Sequence, residues 1–196
     1  MSLESIREEI LSYGNMSPEY FRKQMHKVPD APVVDRVGFI LEQCKGKVVL
    51  DIGCAANQLH ELIAGVAEKA YGIDKEPCEC SNFFQLDIEE DDIPPLNDVN
   101  LIVCAEILEH LASPGRLLKQ LRYYRCPVVL SVPNAFSEVG FAHLRKGFEN
   151  CNIQHVSYYS YRTLKTLVER FDYTIDSFWW YTGIPLFSEG LVMVVR

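Results

Sequence analysis

Residues 48-VVLDIGCAANQL-59 run from an apolar segment through one acid and one glycine into a leucine-bearing polar stretch. VVLDI reads as a strand buried on both faces, as in a parallel sheet. Gly53 permits a turn that a residue with a Cβ resists. The run NQLHELIAGV then carries helical periodicity, with Asn57 placed to cap it. Strand, tight turn and helix together are the opening unit of an α/β sheet, with the turn at the carboxyl end of the strand.

Outward from this unit the same alternation repeats. KAYGID (69–74) and SNFFQLD (81–87) read as the next strands, followed by an acidic, proline-broken loop over 88–98. VNLIVCAE (99–106) is a fourth strand and PVVLSVPN (127–134) a fifth. Between them Ser113-Pro114 opens a helix, with Ser113 expected to cap it. YRTLKTLVERF (161–171) is a late helix, and 173–182 and 189–196 are closing strands without a good helix between them. This predicts an α/β, Rossmann-like, seven-stranded mostly parallel sheet with a C-terminal antiparallel hairpin and helices on both faces. Upstream, 3–13 and 18–25 read as short helices, PDAP (29–32) breaks the chain, and 33–43 regains helical periodicity. Residues 1–43 are therefore expected to form a helical extension or lid on a single domain covering 1–196.

The bulk numbers agree with a single domain. The chain has 196 residues, 48% hydrophobic, with a formal charge of -8, enough to bury a core without staples. No apolar run is long enough to span a membrane, and the N-terminus lacks the pattern of a signal peptide, so a cytoplasmic location is expected. The acidic balance and the absence of a lysine/arginine block argue against a large phosphate-backbone footprint, although a local basic patch stays open. Seven cysteines are scattered, as in reduced compartments. Cys78 and Cys80 stand too close for a usual zinc pair, and no metal-ligand spacing is evident, so no metal is expected.

Acids stand at three successive strand ends: Asp51, Asp74 (23 residues later) and Asp87. An acid ending the second strand can accept hydrogen bonds from ribose hydroxyls. With the segments AEILEHL (105–111), SVPNAFS (131–137) and HVSYYSYRTLKTLVERFDY (155–173), the layout over 44–196 resembles the class I S-adenosylmethionine-dependent methyltransferases, in their broad small-molecule and natural-product group. The family loop is an acid followed by three alternating glycines; here those positions read Asp51, Gly53, Ala55 and Asn57, so only the first glycine is kept.

The resemblance implies S-adenosyl-L-methionine as cofactor and S-adenosyl-L-homocysteine as product. It places Asp51, Gly53, Cys54 and Ala55 at the donor loop, Asp74 and Lys75 at the ribose, Leu86, Asp87 and Ile88 around the adenine, and Cys104 and Ala105 on the wall after the fourth strand. A cationic sulfonium suits the acidic surround better than a pyrophosphate would. The expected activity is methyl transfer to an oxygen or nitrogen of a small molecule, with Glu106, His110 and His155 as candidate catalytic groups. Glu106 and His110 share a face if 107–111 is a helical turn. A nucleic-acid partner is not expected, and a homo-oligomer stays open through the aromatic C-terminal hairpin. A non-catalytic methyltransferase-like binding protein and an NAD-dependent oxidoreductase are the competing readings.

Overall fold

A computed structural model describes residues 27–54 and 58–196, with Glu4, Ser5, Glu8 and Glu19 before them. Apart from those four residues, the expected helices over 3–13 and 18–25 lie outside the described residues, as do most of the expected lid, Ala55 and the Asn57 cap.

The sheet is built from β1 (Val33–Val34), β2 (Val48–Ile52), β3 (Lys69–Asp74), β4 (Phe83–Gln85), β5 (Leu101–Ala105), β6 (Val128–Pro133), β7 (Ile175–Tyr181) and β8 (Gly190–Val195). Their order is β1-β7-β8-β6-β5-β2-β3-β4. All pairings are parallel except those of β8, which runs antiparallel to both β6 and β7. The α-helices whose bounds fall within the described residues are α1 (Arg36–Cys44), α2 (Leu59–Val66), α3 (Pro114–Leu121), α4 (Glu138–Leu144) and α5 (Tyr161–Arg170).

Side-chain alternation along the strands divides the core into two layers. Leu50, Ile52, Ile102, Cys104, Leu130 and Met193 face Leu117, Leu118 and Leu121 of α3 and Leu164 and Val168 of α5. Val49, Val103, Val129 and Val192 face Ile40 and Cys44 of α1 and Ile63 of α2. Each side chain buried from full exposure contributes roughly 1.5–3 kcal/mol. The sheet thus carries helices on both faces, as the alternation predicts.

Two local expectations are corrected. The sheet has eight strands rather than seven. Val33–Val34 leave the expected helix and pair with Trp180 and Tyr181, because Asp35 takes the cap position instead, its side chain accepting from the Gly38 amide at 2.9 Å. Ser113 makes no side-chain cap. Its own amide is turned to Glu89 Oε1 at 3.1 Å, and Pro114, which has no amide to satisfy, opens α3. The late helix does carry a capping box, between Ser160 and Thr163. Among the described residues no helix is long and apolar enough to cross a membrane. Cys78 and Cys80 are joined by a disulfide with their Cα atoms 5.4 Å apart.

Candidate functional site

Strand order reverses between β2 and β5, whose carboxyl ends flank a cleft, the usual ligand position in an open α/β sheet. Gly53 turns the chain there with φ +81°. A Cβ at Gly53 would stand 2.7 Å from Ile107 Cδ1, so both the backbone conformation and the close approach require glycine.

Asp51 lies beneath this turn and does not line the cleft. Its Oδ2 sits 3.0 Å from His60 Nδ1, with both side chains buried. Burial pushes the Asp51 carboxyl up, and the hydrogen bond and charge of His60 oppose that. Room for the imidazole comes from Gly72 on β3, where a Cβ would meet Cys54 Sγ at 2.6 Å and His60 Cε1 at 3.0 Å. Asp51 and His60 thus tie α2 to the sheet. Cys54 and Cys104 are buried in the core as well, and burial drives the Cys54 thiol up to about 12 and Cys104 further.

Two adjoining hollows occupy the cleft. The narrower is walled by Leu86, Asp87 and Ile88 on one side and Ile107 and Leu111 on the other. The wider, about 790 Å³, is lined by Arg36, Ala105, Glu106, Lys75 and Gln58 among others. Gly53, Asp74, Lys75, Ile107 and His110 border both. An apolar slot, an acid at its mouth and a polar hollow beyond fit an adenine, a ribose and an amino-acid tail in that order. Asp74 is already shaped as a turn acid: its Oδ1 accepts from the Glu76 amide at 2.9 Å. Asp87 lies two residues past β4 rather than on it and is exposed, its Oδ1 accepting from the Glu89 amide at 3.0 Å.

On the acceptor side, Glu106 adopts φ +56°, a strained conformation for a residue with a side chain. It is held by Tyr181, whose hydroxyl is 3.0 and 2.9 Å from its two oxygens, by Ser131 Oγ at 2.9 Å and by Arg36 Nη1 at 3.5 Å. Burial still raises its carboxyl above the usual range. The expected pairing of Glu106 with His110 is therefore not made as a direct hydrogen bond. Residues 108–110 form a short 3-10 turn that aims the His110 ring edge-on at His155, with ring centroids 4.7 Å apart. Burial lowers both imidazoles, favouring their neutral forms.

Glu109 lies beside them in a way the sequence spacing did not reveal. It is 1% exposed, and among the described residues neither carboxylate oxygen has a hydrogen-bond partner. Burial first, and Glu106 second, push its carboxyl up to about 8. Donor atoms of Glu109, His110 and His155 lie within 4.8 Å of one another, a candidate cation cluster where local spacing suggests none. The third donor arrives from 45 residues downstream, carried by a segment whose Val156 and Ser157 amides bond the Glu109 carbonyl at 2.8 and 3.2 Å. His143 lies apart, in the last turn of α4.

The Methyltransferase domain family matches residues 21–177. No curated protein matches the chain. Among solved structures, the small RNA methyltransferase HEN1 is similar at a TM-score of 0.67 and 17% identity, covering 88% of this chain and 27% of that one. This chain thus spans about a quarter of that protein's length. A methyltransferase from Archaeoglobus fulgidus gives a TM-score of 0.63 at 17% identity, covering 82% and 90% of the two chains. The magnesium protoporphyrin IX methyltransferase of Synechocystis, solved with S-adenosylmethionine bound, gives 0.55 at 12%, covering 81% and 76%. At these identities the structures speak for the fold, and the family match covers most of the sequence. The chain belongs to the methyltransferase-domain family and is a class I S-adenosylmethionine-dependent methyltransferase.

Proposed function

We propose that the acceptor atom is a hydroxyl oxygen and that Glu109, His110 and His155 hold a divalent cation against it. One observation carries this reading: a buried carboxylate with both oxygens unpartnered faces two imidazoles. An unpaired buried carboxylate is costly, and a cation would satisfy it. Carboxylate oxygen with neutral imidazole nitrogen is a donor set suited to a divalent first-row metal or magnesium.

S-adenosylmethionine, when bound, supplies an electrophilic methyl on sulfur, so the chain's own work is alignment and proton handling. Asp74 is proposed to receive the ribose hydroxyls, Leu86 and Ile88 to sandwich the adenine against Ile107, and Asp87 to meet its exocyclic amine. Lys75, Gly53 and Ala105 complete the donor wall. A divalent cation lowers the pKa of an oxygen bound to it, a service an alcohol needs and a neutral amine does not. The expected oxygen-or-nitrogen choice therefore narrows to oxygen.

A vicinal diol brings two oxygens to one cation. Within an RNA only the 3′-terminal ribose has two free neighbouring hydroxyls, and the similarity to a small RNA methyltransferase favours that acceptor. The hollow beside Glu109 and His155, about 570 Å³ and still open, admits a strand end. The small-molecule acceptor expected from sequence is the second reading. It is favoured by Glu149 and Glu189 in the same hollow, since they would repel phosphates.

The test is transfer of a labelled methyl from S-adenosylmethionine to oligoribonucleotides with a 3′ diol or a 3′-terminal dideoxynucleotide, with Mn²⁺ or with chelator. Transfer only to the diol, only with metal, and absent in Glu109→Gln is expected. The same variant should keep its affinity for S-adenosylhomocysteine. Chelator-resistant transfer, or equal transfer to the dideoxy end, would overturn the reading.

A further inference from the structure

The amino ends of β5 and β6 lie at the opposite edge of the sheet from the donor cleft, and a pocket of about 960 Å³ opens there. Its described lining includes Lys119, Arg122, Arg125 and Arg196 and no Asp or Glu side chain. In a chain of formal charge -8, four cations around one hollow form a pronounced local reversal of sign.

The arrangement is built rather than incidental. Lys119 and Arg122 share a face of the last turns of α3 by their spacing of three. Arg122 lies 5.2 Å over the Tyr173 ring, and that ring is fixed by its hydroxyl bonding the Leu118 carbonyl at 3.0 Å. Arg125 ends the turn with φ +53°. Arg196 arrives from the antiparallel end of β8, where Asp176 on the rim accepts from its Nε at 2.6 Å. Arg122 and Arg125 are exposed, and neither guanidinium has a hydrogen bond or ion pair to another described residue. Between them stands Tyr123, 68% exposed.

Clustered cations attract a polyanion, and the exposed ring decides which. Guanidinium groups meet phosphates while an accessible aromatic face stacks a base, the combination by which single strands are held without sequence preference. An acidic peptide would have use for the charges but none for the ring. We infer that this rear pocket binds the phosphate backbone of single-stranded RNA, with Tyr123 as the stacking face. Strands of five or six residues, roughly 17–20 Å, separate it from the Glu109 cluster, so it holds a part of the strand distant from the reacting end. The inference shares the RNA substrate of the proposed function but not its cation.

The test is fluorescence anisotropy of a 5′-fluorescein single-stranded RNA of about twenty nucleotides, longer than a typical site of about 4–16, with EDTA present and no methyl donor. Arg122→Ala/Arg125→Ala should weaken binding at least about tenfold. It should also reduce the slope of log affinity against log salt by about 1.4, at about 0.7 for each phosphate no longer neutralised. Tyr123→Ala should weaken binding about fivefold or more with the slope kept, and Arg122→Lys/Arg125→Lys should restore the slope. Thermal melts confirm folding. Because the assay contains neither free divalent cation nor methyl donor, a failed cation site leaves the inference standing. Unchanged affinity in the folded double-alanine protein, or polyglutamate competing as well as unlabelled RNA, would overturn it.

Discussion

The Tyr181 hydroxyl, 75 residues away in sequence, bridges both carboxylate oxygens of Glu106 at 3.0 and 2.9 Å. Its ring fits because residue 190 is glycine: a Cβ there would stand 2.0 Å from Tyr181 Cζ. Tyr181→Phe should therefore destabilise the protein by about 1–3 kcal/mol, the cost of leaving a largely buried carboxylate short of a donor. Gly190→Ala should displace the same ring. Urea unfolding of both single variants and the double should show an effect smaller than the sum, as expected for groups acting on one hydrogen bond. Full additivity would separate Gly190 from the Glu106 network.

Asp74→Ala should weaken S-adenosylhomocysteine binding about ten- to a hundredfold, the loss of a charged hydrogen bond worth roughly 1.5–3 kcal/mol. Asp74→Asn should lose less, since one acceptor oxygen remains. Calorimetric titration beside a thermal melt measures this, and unchanged affinity in a folded alanine variant would move the nucleoside elsewhere.

Gly53→Ala carries two separable penalties. The left-handed backbone costs roughly 1–2 kcal/mol for an L-residue, and the new methyl meets Ile107 Cδ1 at 2.7 Å. Adding Ile107→Ala should remove the second penalty and leave the first. Donor-product affinity and the melting temperature should therefore recover only in part in the double variant. Complete recovery would mean the turn tolerates the alanine.

Alkali should unfold this protein early. Burial raises the Cys44 and Cys54 thiols to about 12 from an ordinary 9, and Cys104 shifts the same way. An acid whose folded pKa is raised costs nothing below the unfolded value. It destabilises as pH climbs past that value, because only the unfolded chain releases the proton. At pH 10 each thiol should cost about 1.4 kcal/mol relative to neutral pH. Urea midpoints at pH 8 and pH 10 check this, and replacing Cys44 and Cys54 with alanine should flatten the difference.

What the sequence displayed was what repeats locally. Apolar runs such as Val48–Ile52 and Leu101–Ala105 and the capped start of α5 show their nature within a few residues. Val33–Val34 did not, because a two-residue strand has no period and is defined by its partner Trp180. In the site, Gly53 and Asp74 stand at strand ends and were legible. Asp51 was legible as a strand-end acid but not as the partner of His60, since that pairing needs the space left by Gly72. The Glu109 cluster was illegible for a similar reason. Two of its donors are adjacent, but the third belongs to a crossover whose docking rests on backbone bonds to residue 109, and no side-chain pattern announces those.

The eighth strand in chain order, β8, lies inside the sheet between β6 and β7. During synthesis from the amino end, the β6 edge and the one side of β7 that β8 will cover wait unpaired until residues 190–195 leave the ribosome. Unpaired apolar edges are templates for wrong partners, so the nascent chain is exposed to aggregation until that strand emerges. Without residues 190–195 the sheet would fall into two unjoined pieces, β1-β7 and β6-β5-β2-β3-β4.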